Sequence, residues 1–274
     1  MSFERQFRTK KRLGQHFLHD PGVVDRIVRA IDPKPGERLV EIGPGQGALT
    51  VPLLQRIVAV ARGPFSADQP ALTVIEFDRD LIAGLEQTSA TIAPLRIIQA
   101  DALAVDFSAL AGSDAIRLVG NLPYNISSPI LFHALQHAAS IIDMHFMLQR
   151  EVVERMVAGP GGKVYGRLSV MLQAYARVEA LFHVPPGAFR PPPKVDSAVV
   201  RITPHPVAQI GIGDAATFAR VVKAAFGQRR KTLRNALQGT CSVDQLTAAG
   251  IDPSERAERV GVDQYIALAN LSVT

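Results

Sequence analysis

Apolar positions along this chain follow two rhythms. Short runs rich in β-branched residues, at 39–42, 72–75, 95–98, 116–119 and 141–148, read as buried strands. Between them lie stretches with helical spacing: 21–31, with Val23, Val24, Ile27, Val28 and Ile31 on one face, then 48–61, 129–137 and 151–158. Asp20-Pro21 caps the first of these helices, and Pro52 is tolerable only in the first turn of the second. Alternating strands and helices predict a doubly wound, mostly parallel α/β sheet. A further helix opens at Tyr165-Gly166-Arg167-Leu168-Ser169 and runs through Met171 and Leu172. Strands at 178–184 and 195–202 predict an antiparallel hairpin at the sheet edge. From Pro204 onward the strand rhythm stops. Asp214 is expected to cap a helix through Phe226, which continues as a basic helix over 228–237 and ends at Gly239. Ser242, Asp252-Pro253 and Asp263 read as further helix starts. The expected division is an α/β domain over residues 1–203 and a small all-helical domain over 204–274.

Composition changes this picture little. Of the 274 residues, 47% are hydrophobic and 20% charged, which suits a packed core and excludes a disordered chain. The lone Cys241 excludes an internal disulfide or a cysteine metal cluster. No apolar run approaches the ~18 residues of a membrane span, and the basic start is not followed by the apolar stretch of a secretory signal. A cytoplasmic, monomeric protein without metal or membrane is expected. The formal charge of +5 is unevenly placed, which points to a polyanionic partner. Arg5, Arg8, Lys10, Lys11 and Arg12 form a basic arm suited to phosphate, although a frayed, solvated terminus has the same composition. Phe189-Arg190-Pro191-Pro192-Pro193-Lys194 is a stiff segment that could hold a ring and two cations against a substrate, or serve as a rigid connector. In the tail, Arg229, Arg230, Lys231 and Arg234 make a basic patch, with Arg230 and Arg234 four apart on one helix face.

The candidate chemistry lies at the carboxyl ends of the strands, where open α/β sheets bind ligands. The first strand runs into Gly43-Pro44-Gly45-Gln46-Gly47 and a helix start, the front of a nucleotide-binding unit. The second ends at Glu76, placed to accept from ribose hydroxyls, or simply a solvated strand-end charge. The third ends near Asp101. The fourth delivers Gly120-Asn121-Leu122-Pro123-Tyr124-Asn125. There the Asn121 amide oxygen and the Leu122 carbonyl can accept from an amino group on a flat base, Pro123 fixes φ, and Tyr124 can stack on the ring. An ordinary strand-to-loop turn could carry the same residues.

With G-x-G-x-G after the first strand and Asn-Leu-Pro-Tyr after the fourth, the pattern resembles class I S-adenosylmethionine methyltransferases that modify amino groups. Leu13-Gly14-Gln15-His16-Phe17-Leu18, Glu41-Ile42-Gly43-Pro44-Gly45, Gln99-Ala100-Asp101-Ala102, the Asn121 motif, Tyr165–Ser169 and Phe189–Ser197 extend the likeness, in order, over almost the whole chain. Together they resemble the KsgA (RsmA) type of small-subunit ribosomal RNA adenine dimethyltransferase. That resemblance implies dimethylation of two adjacent adenines in the terminal hairpin of 16S rRNA, within a small-subunit precursor. It implies that the backbone around His16 and Leu18 covers S-adenosylmethionine, that Gly43 contacts it and that Glu76 takes its ribose hydroxyls. Asp101 would take its adenine amine, and Asn121 would lie between cofactor and target. Many members carry Asn where this chain has His16, and the Gly/Pro-rich loop at 62–71 is longer than usual.

The chemistry has its own logic. An adenine amine is a poor nucleophile because its lone pair is delocalised into the ring. Two acceptors can hold its N–H bonds and favour a tetrahedral nitrogen, so catalysis is positioning and electrostatics. The target base must leave its stack, with Tyr124 and Phe189 expected to hold it. The rivals are a dinucleotide oxidoreductase, which wants a different glycine spacing, a large-subunit rRNA dimethyltransferase, and an assembly factor that only binds RNA.

Overall fold

The computed structural model describes residues 16–66, 69–124 and 126–272. Nine strands are present among them: β1 (Phe17–Leu18), β2 (Arg38–Ile42), β3 (Leu72–Glu76), β4 (Leu95–Gln99), β5 (Ile116–Asn121), β6 (Ile141–Gln149), β7 (Ala176–Val184), β8 (Phe189–Arg190) and β9 (Ser197–Pro204). Seven of them form one mostly parallel sheet in the order β4-β3-β2-β5-β6-β9-β7, with the antiparallel part at the β7 edge. β1 and β8 make a separate antiparallel ribbon, pairing Phe17 with Arg190 and Leu18 with Phe189.

The helices are α1 (Pro21–Ile31), α2 (Thr50–Val60), α3 (Arg79–Ser89), α4 (Phe107–Ala111), α5 (Ser127–Gln136), α6 (Arg150–Val157), α7 (Arg167–Gln173), α8 (Ala215–Gly227), α9 (Leu233–Ala236), α10 (Val243–Ala248) and α11 (Val262–Leu271). α1 begins as its sequence dictates. Asp20 accepts from the Val23 N–H, and Pro21 occupies a position where no N–H is needed. Pro52 is the third residue of α2, inside the first turn, so it removes no intrahelical bond. No helix among the described residues is long and apolar enough to cross a membrane.

The chain divides into two compact units. One runs to Arg150 and resumes over Leu181–Arg201; the other comprises Glu151–Ala180 and the chain from Ile202 onward. In the first, α1, α2, β2, β3 and the β1–β8 ribbon share a core that includes Ile27, Ile31, Leu53, Leu54, Val74 and Phe189. The second is wider than residues 204–274, because Tyr165, Val170 and Ala174 bury with Phe218, Val222, Leu233, Leu246 and Tyr265. Tyr165 and Tyr265 are fully buried there, and each donates its hydroxyl to a backbone carbonyl, Val260 and Ala257 respectively.

Two expectations for the tail need correction. The basic stretch at 228–237 does not continue α8. That helix stops at Gly227, a turn follows in which the Lys231 N–H bonds the Gln228 carbonyl, and the rest of the stretch is helical only over α9. The cause is tertiary: Arg229 turns back and donates its guanidinium to the carbonyls of Lys163 and Tyr165. Arg230 and Arg234 therefore do not share a helix face. Asp252-Pro253 also starts no helix, since Asp252 accepts from the Ser254 N–H and hydroxyl in a turn.

Candidate active site

Parallel pairing of β2 with β3 and β5, and of β3 with β4, sets the carboxyl ends of these strands side by side. Glu76 and Asn121 are the last residues of β3 and β5, Gly43 follows β2 directly, and Asp101 lies two residues beyond β4. They open onto one cavity of about 250 Å³. It is lined by His16, Phe17 and Leu18, by residues 41–46, by Ile75, Glu76 and Phe77, by Asp101 and Ala102, and by Asn121, Leu122, Pro123 and Tyr124.

Glycine is required at two positions. A Cβ on Gly120 would stand 2.4 Å from the Ile42 carbonyl oxygen, so only glycine lets β5 lie this close to β2 just before Asn121. Gly45 has φ +58°, and a Cβ there would press on the Phe17 ring at 3.2 Å.

Of the three carboxyl groups that line the cavity, Glu41 and Glu76 are buried, with no ion-pair partner among the described residues. Burial pushes Glu41 up to about 8, against the pull of the Thr50 hydroxyl, which donates at 2.7 Å, and with a push from Glu76. Burial also raises Glu76, opposed by the N–H groups of Asp78 at 2.7 Å and Gly45 at 3.1 Å. Glu41 and Phe77 are residues that the sequence reading did not assign to the site. Glu41 looks like any strand residue. Phe77 is a 60% exposed ring beside Glu76, an apolar surface left uncovered at the cavity rim.

On the other side, Asn121 Nδ2 donates to the His16 carbonyl at 3.1 Å, which orients the carboxamide. Tyr124 stacks against the His16 ring, centroids 5.9 Å apart and planes 28° from parallel, and its hydroxyl bonds Ser197 Oγ at 2.7 Å. Burial raises the Tyr124 phenol, so it is neutral.

A model of the family described as ribosomal RNA adenine dimethylase matches residues 6–273. The chain belongs to that family. It is accordingly an enzyme, a methyltransferase acting on adenine in ribosomal RNA. Curated relatives called ribosomal RNA small subunit methyltransferase A, from Xanthomonas campestris pv. campestris (strain B100) and Xanthomonas axonopodis pv. citri (strain 306), are each 63% identical over 96% of both chains. In fold, the chain is similar to a dimethyladenosine transferase from Plasmodium falciparum, with a TM-score of 0.76 and 24% identity over 92% of this chain and 96% of that one. It is also similar to the 23S rRNA methyltransferase ErmE, with a TM-score of 0.69 and 24% identity over 93% and 99%.

The methyl donor of this dimethylase family is S-adenosylmethionine, and the cavity fits it. The loop at Gly43–Gly45 is open to close backbone approach, Glu76 offers a carboxylate for hydroxyls, and Phe77 offers a ring face. The cavity brings together ten expected residues: His16, Leu18, Gly43, Gly45, Glu76, Asp101, Asn121, Leu122, Pro123 and Tyr124.

Phe189 is not among them. Its ring, expected to hold the target base, is 1% exposed and packs in the core with the β1–β8 ribbon. Arg190 and Lys194 are exposed in the first unit, and Arg230, Lys231 and Arg234 in the second. Arg229 is committed to the Lys163 and Tyr165 carbonyls. Arg8, Lys10, Lys11 and Arg12 lie outside the described residues.

Proposed function

We propose that this dimethylase transfers methyl groups from S-adenosylmethionine to the 6-amino groups of two adjacent adenosines in the 3′-terminal hairpin of 16S rRNA. It would act on small-subunit precursors in the cytoplasm, as a monomer. The 63% identity to relatives named for the small subunit supports that target over a large-subunit one. The observation that carries the reading is the Asn121 carboxamide. One N–H is spent on the His16 carbonyl, so the amide oxygen is left for a donor inside the cavity.

S-adenosylmethionine supplies a methyl group already activated on a sulfonium. The protein's part is to bind, orient and exclude. Glu76 and Asp101 take the donor's polar groups, and the glycine loop admits its backbone-facing side. The Asn121 oxygen and the Leu122 carbonyl accept the two N–H bonds of the adenine amine and turn its lone pair toward the methyl carbon. Tyr124 stacks on the extruded base. The Leu122 N–H bonds the Met147 carbonyl on β6, so the carbonyl that meets the amine is anchored to the sheet. Exposed Arg190, Lys194, Arg230, Lys231 and Arg234, with the arm residues Arg8, Lys10, Lys11 and Arg12, meet phosphates. Arg229 contributes by holding its turn.

Asn121→Ala tests the reading. On small subunits from a strain lacking the modification, tritiated methyl transfer should fall by about 10²–10³-fold, the size of a lost preorganised polar contact, while rRNA binding stays intact. Near-normal turnover rejects the role of Asn121 and the mechanism with it.

A further inference from the structure

Asn121 and Tyr124, the two side chains assigned to the target base, are tied to one segment of the chain. Asn121 Nδ2 donates to the His16 carbonyl. The His16 ring lies against one face of Tyr124. Its Nδ1 is 2.8 Å from the Pro191 carbonyl, and since a carbonyl only accepts, His16 carries its proton there. The Tyr124 hydroxyl bonds Ser197, which is fully buried at the start of β9. Pro191 and Ser197 bracket the proline-rich segment, and the β1–β8 ribbon fixes its near end through Phe17–Arg190 and Leu18–Phe189 pairing. The contacts therefore close a ring: Asn121, His16, Pro191, the segment to Ser197, Tyr124.

We propose that Ser197 and His16 are positioning residues for methyl transfer, which brace Tyr124 so that one defined ring face meets the adenine held by Asn121. The reasoning is steric and entropic. A half-buried tyrosine with its hydroxyl unpaired can swing about χ1, and each alternative orientation lowers the fraction of productive encounters. The 2.7 Å bond to a buried, immobile serine removes that freedom. The histidine ring covers one face of Tyr124, which leaves the opposite face for the base. His16 thus acts through its side chain as well as its carbonyl. The buried Phe189 packs in the core beside the same ribbon.

This inference rests on the proposed function, and the test separates the two. The full-length enzyme is compared with Ser197→Ala, Tyr124→Phe, the double variant, His16→Ala and Ser197→Thr, using kcat and KM on unmethylated small subunits together with melting temperature. Losing the hydroxyl bond from either side should lower kcat roughly tenfold while KM for S-adenosylmethionine stays within about twofold. The double variant should be no slower than either single one, because both remove the same bond. His16→Ala should lower kcat similarly, and Ser197→Thr should restore most of the rate. If Ser197→Ala does not fold, Tyr124→Phe removes the bond from the solvent side and decides the matter. Wild-type kcat in Tyr124→Phe or Ser197→Ala, or losses that multiply in the double variant, overturn the brace. Asn121→Ala runs in parallel: its wild-type rate would sink the proposed function itself, whereas a dead Asn121→Ala beside an unimpaired Ser197→Ala sinks only the brace.

Discussion

The parallel strands of the sheet carry buried ionisable groups at both ends, and the two ends are built differently. At the amino end, Arg117 on β5 donates to Glu37 at 2.7 Å, to both oxygens of Asp143 at 2.8 and 2.9 Å, and to the Ile31 carbonyl at 2.8 Å. Arg201 donates to His145 Nε2 at 3.0 Å, and His145 Nδ1 lies 3.6 Å from Asp143. Burial alone would raise the Asp143 carboxyl, but His145 and Arg117 beside it outweigh burial and bring it down to about 2. At the carboxyl end, Glu41 and Glu76 receive only neutral donors, and burial lifts both. One end is balanced by cations from the protein. The other holds carboxyls with no cation beside them among the described residues, where burial disfavours the charged form. The same fold uses buried ionisable groups once to close a structure and once to leave a site open.

The largest expected effect breaks the amino end. Arg117→Met removes the cation from between Glu37 and Asp143 and should destabilise the protein by about 3–5 kcal/mol, the cost of stranding buried carboxylates. Urea unfolding followed by circular dichroism measures it. If Glu37 and Asp143 are replaced by leucine as well, much of the loss should return, since a neutral apolar set needs no partner. A loss below about 1 kcal/mol for Arg117→Met would show that the network is hydrated and that the contrast between the ends is not real.

A second prediction uses pH. Glu41 titrates near 8 in the folded chain against an ordinary 4.5. Its contribution to stability is therefore fully present below 4.5 and lost as pH rises through 8. Glu41→Gln cannot titrate, so the variant should gain on the wild type between pH 5 and 9, by about 4 kcal/mol. Asp143 works in the opposite direction. Its folded value near 2 lies below the ordinary 3.8, so its contribution is present above 3.8 and lost as pH falls toward 2. That arm should be about 1–2 kcal/mol, discounted for partial exposure, and should vanish in Asp143→Asn. Melting temperatures across pH for the three proteins would show one alkaline and one acid arm. Two arms of the same sign would contradict the contrast.

The two ends also differed in how much the sequence revealed. The carboxyl end was readable because its grammar is local. A β-branched run breaks into Gly-Asn-Leu-Pro-Tyr or Gly-Pro-Gly, and the polar residue falls at the strand's end whatever lies around it. The Arg117 network was not readable, because its members lie 80 and 26 residues apart and only strand pairing brings them together. The burial of Phe189 was not readable either, because a ring that packs and a ring that stacks on a base are the same letter. The helix over 228–237 failed for a related reason. Gln, Arg and Lys are good helix formers, and the break comes from carbonyls at Lys163 and Tyr165 that compete for Arg229. His16, unusual for its motif, acquires a contact only when Pro191 arrives beside it.

The smallest expected effect sharpens the carboxyl end. Glu76 accepts backbone N–H groups from Gly45 and Asp78, one on each oxygen, and has lone pairs left for sugar hydroxyls. Glu76→Gln keeps the shape but turns one acceptor into a donor that faces a backbone N–H. At the amino end such a change would appear as lost stability, because the charge there serves the fold. At the carboxyl end it should appear as lost ligand. KM for S-adenosylmethionine should rise about tenfold, roughly 1.4 kcal/mol, with kcat within about twofold and little change in melting temperature. S-adenosylhomocysteine, which carries the same ribose, should lose affinity in parallel by calorimetric titration. If Glu76→Gln instead lowers the melting temperature as Arg117→Met does and leaves cofactor affinity alone, then Glu76 is one more internal brace and the open end of the sheet is closed after all.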